Sequence, residues 1–205
     1  MPEFIYINGF PGVGKLTVAN EVSKLIPGSR VFHNHLVIDP VAAVLDRGSR
    51  GYDELRASFR RHALHTIATH QAIRGTTFIF TDSRESSGVG SEGARDYQKA
   101  AEMRGVPFIS IILHCGLSEN LRRLESRNDI SERGTKLTDG GVLRTIRETE
   151  EIFRFGGNLE KEVDTTDMRP SETAQMIVQH VSAVTGERVE IKIMHPYPSR
   201  DASLL

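Results

Sequence analysis

The sequence predicts an α/β protein in which helices cover both faces of a parallel sheet. Short apolar, β-rich segments alternate with helical patterns, and each crossover helix between parallel strands buries one face of the sheet. The 205 residues, of which 38% are hydrophobic, suit one compact domain with a buried core. A glycine-rich turn directly follows the first apolar segment, where ligands of parallel sheets bind.

The amino-terminal part of the chain predicts a strand, a loop and a helix. Residues 4–7 form an apolar run that ends at Asn8, as expected of a strand buried on both faces. From Leu16 onward, apolar residues recur at helical spacing until Pro27 ends the segment. This order is the first half of a βαβ unit.

The alternation continues through the middle of the chain. A strand over 30–33 precedes a short helix over 39–45, and strands over 76–81 and 108–113 follow. A long helix before the third strand is predicted to bury Leu55, Phe59, Ala63 and Ile67. The helix after that strand is marked by Ala94, Tyr97 and Ala101.

The last third contains the remaining predicted elements. They are a helix over 117–127, a polar loop over 128–139, a helix over 142–153, a strand over 159–165 and a helix from Pro170 to near Gly186. The following tail contains a candidate edge strand over 189–193 and a Pro/Ser-rich end. We therefore predict one domain over 1–186 and a tail over 187–205.

Composition excludes several classes of partner. Lys and Arg number 26 against 27 acidic residues, so no bulk positive charge indicates nucleic acid or an anionic membrane. The single Cys115 excludes an internal disulfide and a multi-cysteine zinc site, and it fits a reducing compartment. The amino terminus has no basic leader, and no apolar stretch reaches the roughly 18 residues that span a bilayer. We expect a cytoplasmic monomer or homodimer with neither kind of partner.

Residues 9–17 carry a phosphate-binding pattern. Gly9-Phe-Pro-Gly-Val-Gly-Lys-Leu-Thr17 meets the G-x-x-x-x-G-K part of the Walker A pattern, with its hydroxyl residue displaced by one position. Its glycines let backbone N–H groups turn inward, and the following helix adds the positive end of its dipole. Lys15 is expected to neutralise the β and γ phosphates of ATP. The predicted nucleotide-binding residues here are Gly9, Pro11, Gly12, Val13, Gly14, Lys15, Leu16 and Thr17.

This loop resembles that of adenylate kinases and allied small-molecule kinases, including shikimate and gluconate kinases. The resemblance covers residues 3–186 and implies a three-layer P-loop NTPase fold, with a parallel five-stranded sheet and a small lid over about 128–140. It implies transfer of the γ-phosphoryl group of ATP to a small hydroxylated metabolite. A nucleoside monophosphate kinase, or a nucleotide-binding regulatory protein with little transfer activity, are the alternatives.

The resemblance also bears on the metal. Adenylate kinases carry glycine after the lysine where this chain has Leu16, so the standard Mg²⁺-binding hydroxyl is absent and Thr17 is expected to contact the α-phosphate. Mg²⁺ would then be held through waters and a carboxylate. Asp82, at the end of the third strand, is the candidate; orienting the acceptor and a plain turn residue are its alternative roles.

The segment after the second strand belongs to the acceptor pocket in these kinases. If the helix begins near Asn34, His35 and Asp39 share one face, and either could accept a hydroxyl proton. In the alternative interpretation, Asn34 caps the helix and the histidines are polar loop residues. Arg84, just beyond the third strand, is a candidate to meet a phosphate on the acceptor, as an arginine does there in nucleotide kinases.

Two further regions are assigned by resemblance. Arg123 and Arg127 lie on one helical face before the lid region and are expected to close over the phosphates; a solvated basic face is the alternative. Backbone groups near Thr166 and Asp167, after the last strand, are expected to contact adenine.

Overall fold

A computed structural model describes residues 2–126 and 137–186 of the chain. Its strands are β1 (Phe4–Asn8), β2 (Arg30–His33), β3 (Phe78–Thr81), β4 (Phe108–His114) and β5 (Glu160–Asp164). Within the described residues they form one sheet in the order β2-β3-β1-β4-β5, and every neighbouring pair is parallel. The predicted α/β fold with a parallel five-stranded sheet is therefore confirmed.

Helices lie between successive strands, and one further helix follows the last strand. They are α1 (Lys15–Leu25), α2 (His35–Ala42), α3 (Tyr52–Thr69), α4 (Gly88–Arg104), α5 (Leu117–Glu125), α6 (Gly140–Thr149) and α7 (Pro170–Thr185), with a short 3₁₀ turn at Gln71–Ile73. None of the helices in this part of the chain is both long and apolar enough to cross a membrane.

Both faces of the sheet are buried, because the side chains of β1 alternate between two cores. Ile5 and Ile7 pack in the core that includes residues of α1 and α7. Phe4 and Tyr6 pack in a second, aromatic-rich core that includes residues of α3 and α4. Continuous apolar sequence in a strand is the expected result of covering both faces.

Three sequence-based expectations about helices need correction. The helix predicted over 39–45 begins at His35, so Pro40 lies within α2 and not at its start. The helix predicted to reach Phe153 ends at Thr149, because the following chain hydrogen-bonds with the β3–α4 connection and its aromatic side chains pack beside α4. On α3, Phe59 is 42% exposed and Arg60 is buried in its place, paired with a carboxylate of α4.

The carboxyl ends of β1, β2 and β3 lie side by side and carry the predicted site residues. The phosphate loop follows β1, Asn34 follows β2 and Asp82 follows β3. Asn8 fixes this edge, because its fully buried amide accepts from the N–H of Arg84 and donates to the carbonyl oxygens of Arg84 and Phe153.

Candidate active site at the phosphate loop

The loop between β1 and α1 has a backbone that requires glycine. The φ angles of Gly12 and Gly14 are 91° and 95°, in the left-handed region. A Cβ on Gly9 would lie 2.3 Å from the carbonyl oxygen of Leu113, and one on Gly12 would lie 2.5 Å from Nδ2 of Asn120. Conformation therefore favours glycine at Gly12 and Gly14, and close neighbours exclude a side chain at Gly9 and Gly12.

Two carbonyl oxygens of the loop face its own lysine. Nζ of Lys15 donates to the carbonyl oxygens of Gly9, at 2.6 Å, and Phe10, at 2.8 Å. The hydroxyl of Ser83 also donates to the Gly9 carbonyl oxygen, at 3.0 Å, so β3 and the loop share this contact. The ammonium group therefore lies at the loop, where an anion would meet it together with the first N–H groups of α1.

Helix α5 holds the outer side of the same loop. Asn120, which is fully buried, donates Nδ2 to the carbonyl oxygen of Pro11 at 3.0 Å. One turn later, Nη1 of Arg123 donates to the carbonyl oxygen of Val13 at 3.0 Å. Because these carbonyl groups are turned toward α5, their repulsion of a phosphate is reduced and the loop is arranged to bind an anion.

Arg123 uses all five of its N–H donors within the protein. Nε donates to Glu119, Nη1 to Val13 and to Oγ1 of Thr165, and Nη2 to the carbonyl oxygens of Thr165 and Thr166. The side chain thereby bridges the phosphate loop and the β5–α7 connection. This arrangement favours a positioning role for Arg123 over the predicted contact with the transferring phosphoryl group.

The residues predicted near adenine lie beside this bridge. Oγ1 of Thr166 accepts from the N–H of Gly116 at 2.9 Å and donates to the Asp164 carboxylate at 2.5 Å. The side chain of Asp167 is exposed next to it. The fold thus connects Thr166 to the phosphate loop through Arg123, whereas its contact with adenine stays a prediction.

Asp82 lies in a buried network at the carboxyl end of β3. Its Oδ2 accepts from Nε of Arg84 at 2.7 Å and from the hydroxyl of Tyr97 at 3.1 Å. Its Oδ1 accepts from the N–H of Ser83 at 2.9 Å and lies 3.6 Å from Nη2 of Arg56. The carboxylate has no exposed surface, so two guanidinium groups and two neutral donors surround it.

The charges in this network shift the pKa values of its members. Burial alone would raise the pKa of Asp82, but Arg84 and Arg56 outweigh burial and hold that pKa well below its usual range. Burial and the charge of Asp82 raise the pKa of Tyr97, so the phenol remains a donor. Asp82 therefore stays ionised at neutral pH and is a poor proton acceptor.

The residues near the loop fit Mg²⁺ only as an ion that arrives with the nucleotide. Among residues 2–126 and 137–186, no three His, Cys, Asp or Glu side chains cluster closely enough to hold a metal. Thr17 is exposed in the first turn of α1, and both oxygens of Asp82 face protein donors. Mg²⁺ commonly binds through phosphates and retained waters. The predicted Mg²⁺ role of Asp82 stays a prediction that this geometry does not favour.

The predicted His35–Asp39 pair is present on α2. Nδ1 of His35 lies 3.4 Å from Oδ1 of Asp39, as expected from a helix that begins at His35. The side chain of Asn34 does not cap this helix, contrary to the alternative interpretation. Because β3 separates β2 from β1 and strands lie about 4.8 Å apart, the pair starts about 10 Å from the strand that carries the loop.

A cavity of about 630 Å³ adjoins the loop at Phe10. Ile112 and Leu113 contribute apolar lining, whereas Ser86 and Glu150 contribute polar groups. Burial and a neighbouring carboxylate raise the pKa of Glu150. The volume lies within the range of small-molecule sites, and the lining also contains charged side chains, including Arg95, Arg147 and Glu162.

Several residues of this site were not predicted to belong to it from the sequence. They include Arg56, Ser83, Tyr97, Asn120, Arg147 and Glu150. Only Asn120 had a detectable signal, because it interrupts the apolar spacing of Leu117, Leu121 and Leu124 on α5. Arg56 and Arg147 look like ordinary helix-surface residues until the packing of their helices is known.

Part of the predicted lid is not among the described residues. Arg127 and residues 128–136 lie outside them. Asp139, at the end of this region, accepts from the N–H groups of Gly141 and Val142 and thereby caps α6. The predicted tail over 187–205, with its candidate edge strand over 189–193, also lies outside the described residues.

One family model matches the larger part of this chain. The AAA domain family matches residues 5–153, a range that includes the loop, Asp82 and all of α6. No curated protein matches the chain in sequence.

The similar solved structures include small-molecule kinases. A gluconokinase from Sinorhizobium meliloti aligns with a TM-score of 0.63 at 16% identity, over 90% of this chain and 94% of that one. The APS kinase CysC from Mycobacterium tuberculosis, solved with AMPPNP and APS, aligns at 0.60 and 16%, over 88% and 98%. A sugar kinase from Janibacter sp. aligns at 0.59 and 18%, over 89% and 95%. At these identities the likeness establishes the fold.

Proposed function

This chain belongs to the AAA domain family, and on that premise we propose that it transfers the γ-phosphoryl group of ATP to a small hydroxylated metabolite. The observation that carries the proposal is the phosphate loop itself. Lys15 lies at the Gly9 and Phe10 carbonyl oxygens, and α5 holds the Pro11 and Val13 carbonyl oxygens away from the loop interior. Such a loop at the start of a helix suits a triphosphate.

The loop residues carry the nucleotide half of the proposed reaction. Bound ATP would supply the phosphoryl group, and Mg²⁺ arriving with it would offset part of the phosphate charge. Lys15 exchanges its two carbonyl acceptors for phosphate oxygens and stabilises the charge that develops on the transferring group. Gly12 and Gly14 keep backbone N–H groups close to the phosphates.

We place the acceptor beyond the carboxyl ends of β1 and β3. The hydroxyl of Ser83 shares the Gly9 carbonyl oxygen with Lys15, so the start of the β3–α4 connection directly borders the loop. The cavity beside Phe10 lies on the other side of β1, at the carboxyl end of β4, and is also lined by Ser86 of this connection. Its size and polar groups support a small polyhydroxylated acceptor.

The transfer requires that the acceptor hydroxyl lose its proton as its oxygen bonds to phosphorus and the bond to the ADP oxygen breaks. Asp82 is unsuited to accept this proton, because Arg84 and Arg56 keep its pKa low. His35 with Asp39, as predicted from the sequence, and Glu150, whose pKa is raised, are the candidate bases. Asp82 instead holds the guanidinium groups of Arg84 and Arg56 at the carboxyl end of β3.

Arg56 favours an acceptor that carries a negative charge. Its guanidinium lies 3.6 Å from Asp82 and makes no hydrogen bond with any residue in the described part of the chain. Asp82 is already paired with Arg84, so the two arginines exceed the carboxylate by one charge. An acidic sugar or a nucleoside monophosphate would supply the missing anion, and this observation keeps the nucleoside monophosphate kinase as the second candidate.

An acceptor panel tests the proposal. ADP release from Mg-ATP would be followed with gluconate, APS, AMP and a neutral hexose, with ATP binding measured in parallel by calorimetry. We expect ATP binding and acceptor-dependent ADP release, with anionic acceptors ahead of the hexose. ATP binding without acceptor-dependent turnover would support the regulatory alternative, and absence of ATP binding at millimolar nucleotide would overturn the assignment of the loop.

A further inference from the structure

Asn120 contacts both the phosphate loop and helix α6. Its Nδ2 donates to the carbonyl oxygen of Pro11 at 3.0 Å, and its Oδ1 accepts from Nη1 of Arg147 on α6 at 2.9 Å. We propose that Asn120 is a positioning residue through which α6 controls the shape of the phosphate loop. The consequence for catalysis rests on the proposed function, whereas the mechanical coupling does not.

The chemistry of the pair fixes the orientation of the amide. A guanidinium group has donors only, so it can face the oxygen of Asn120 but not its nitrogen. With Oδ1 held by Arg147, the NH₂ group points to the Pro11 carbonyl oxygen, which needs a donor. Without Arg147, the amide loses the contact that selects this orientation over the flipped one, in which two oxygens would face each other.

The surroundings leave the amide little freedom. Asn120 is fully buried, and an added Cβ on Gly12 would lie 2.5 Å from its Nδ2. A rotation of the Asn120 side chain therefore acts directly on the loop backbone at Gly12 and Pro11. A buried polar group without a partner raises the free energy of the folded protein. The Pro11 carbonyl group, the Asn120 amide and the Arg147 guanidinium, here called the relay, therefore move together or lose hydrogen bonds.

Arg147 makes a second contact with the loop. Its guanidinium lies over the ring of Phe10, 5.1 Å from the centroid. It also lines the cavity beside Phe10. A change in the position of α6 thus reaches the loop at Phe10 by stacking and at Pro11 by the Asn120 relay.

The test is a double-mutant cycle of Asn120→Ala and Arg147→Ala, with Arg144→Ala as the control on the exposed side of α6. Hydrogen–deuterium exchange of the peptide that contains residues 9–14 is measured without nucleotide, and the Kd for Mg-ATP is measured without acceptor. We expect each single variant to speed exchange in this peptide and weaken ATP binding by about ten-fold, the size of one lost buried hydrogen bond. Exchange and ATP affinity of the double variant should be close to those of Asn120→Ala. Any further small change would come from loss of the contact between Arg147 and Phe10.

The possible outcomes test the Asn120 relay separately from the proposed phosphoryl transfer. Multiplicative effects in the double variant, or exchange in Arg147→Ala equal to that in Arg144→Ala, would overturn the relay even if ATP binds normally. Coupled exchange in a protein that binds no ATP would support the relay and refute the proposed function. Should Asn120→Ala fail to fold, Arg147→Ala with Arg147→Lys decides the question, because lysine restores a donor to Oδ1 and should restore slow exchange.

Discussion

The proposed nucleotide side and the proposed acceptor side of this molecule are built from different groups. On the nucleotide side, main-chain atoms of residues 9–14 form the loop, and Lys15 follows at the start of α1. On the acceptor side, side chains from separate elements meet: Arg56 from α3, Asp82 and Arg84 after β3, and Tyr97 from α4. The first arrangement needs glycines, and the second needs charge pairing in a buried place.

The difference explains what each side can recognise. Backbone N–H groups bind any suitably placed phosphate chain, so the nucleotide side is general. The acceptor side holds an excess of positive charge next to hydroxyl groups, and only an acceptor with matching groups would satisfy it. Variants of the two sides should therefore change different measurable quantities.

Lys15→Ala is expected to have the largest effect, and this effect should be confined to the nucleotide side. Removing the ammonium group should lower phosphoryl transfer by about 100- to 1000-fold and weaken ATP binding, because no other side chain of the loop carries a positive charge. Initial rates and calorimetry would measure this, with Lys24→Ala on the exposed surface of α1 as the control. Unchanged thermal stability would confirm that the acceptor side is intact; undiminished transfer would contradict the site.

Asp82→Asn should affect stability more than nucleotide binding. Removing one partner of a buried ion pair commonly costs about 3 kcal/mol or more in the free energy of unfolding. The pKa of Asp82 is lowered in the folded protein, so its stabilising contribution is complete above its unfolded value of 3.8 and is lost as the pH falls further. Thermal melts from pH 6 to 3 should fall more steeply for the unsubstituted protein below about pH 4. Parallel curves would show that Asp82 does not contribute in this way.

Gly12→Ala tests whether the loop shape depends on α5. The φ of Gly12 is 91°, and the new Cβ would meet Asn120 at 2.5 Å. Gly48→Ala is the matched control, since Gly48 has a φ of 87° and no atom near the added Cβ. Both variants should lose about 1 kcal/mol of stability from backbone strain. Only Gly12→Ala should also weaken ATP binding, by about ten-fold, and equal ATP affinities would argue against the contact.

Arg56→Ala is expected to have the smallest effect and the most specific one. It should raise the KM for an anionic acceptor by about ten-fold while leaving the Kd for ATP unchanged, because a charged hydrogen bond contributes about 1.5 kcal/mol or more. Arg61→Ala on the exposed face of α3 is the control. Equal changes in KM for an acidic and a neutral acceptor would show that Arg56 does not distinguish anionic from neutral acceptors.

The sequence by itself determined the sheet, the loop and the His35–Asp39 pair. Each was predicted from a short sequence pattern. Apolar runs predict the buried strands, spaced glycines before a lysine predict the loop, and a spacing of four residues on a helix predicts the pair. Such patterns can be recognised in the sequence because the periodicity or spacing that identifies each of them spans only a few residues. The predicted contacts of Thr17, Thr166 and Asp167 with nucleotide remain predictions on this scaffold.

Only the tertiary structure decided which polar side chains meet. It paired Asp82 with Arg84 and Arg56, directed all donors of Arg123 to the protein, and placed Asn120 between Pro11 and Arg147. Gly93 is an example. Glycine within a helix normally lowers the stability of that helix, yet a Cβ at this position would lie 2.8 Å from the Arg84 guanidinium. Such contacts join residues far apart in the chain, and their geometry follows from how whole helices pack on the sheet.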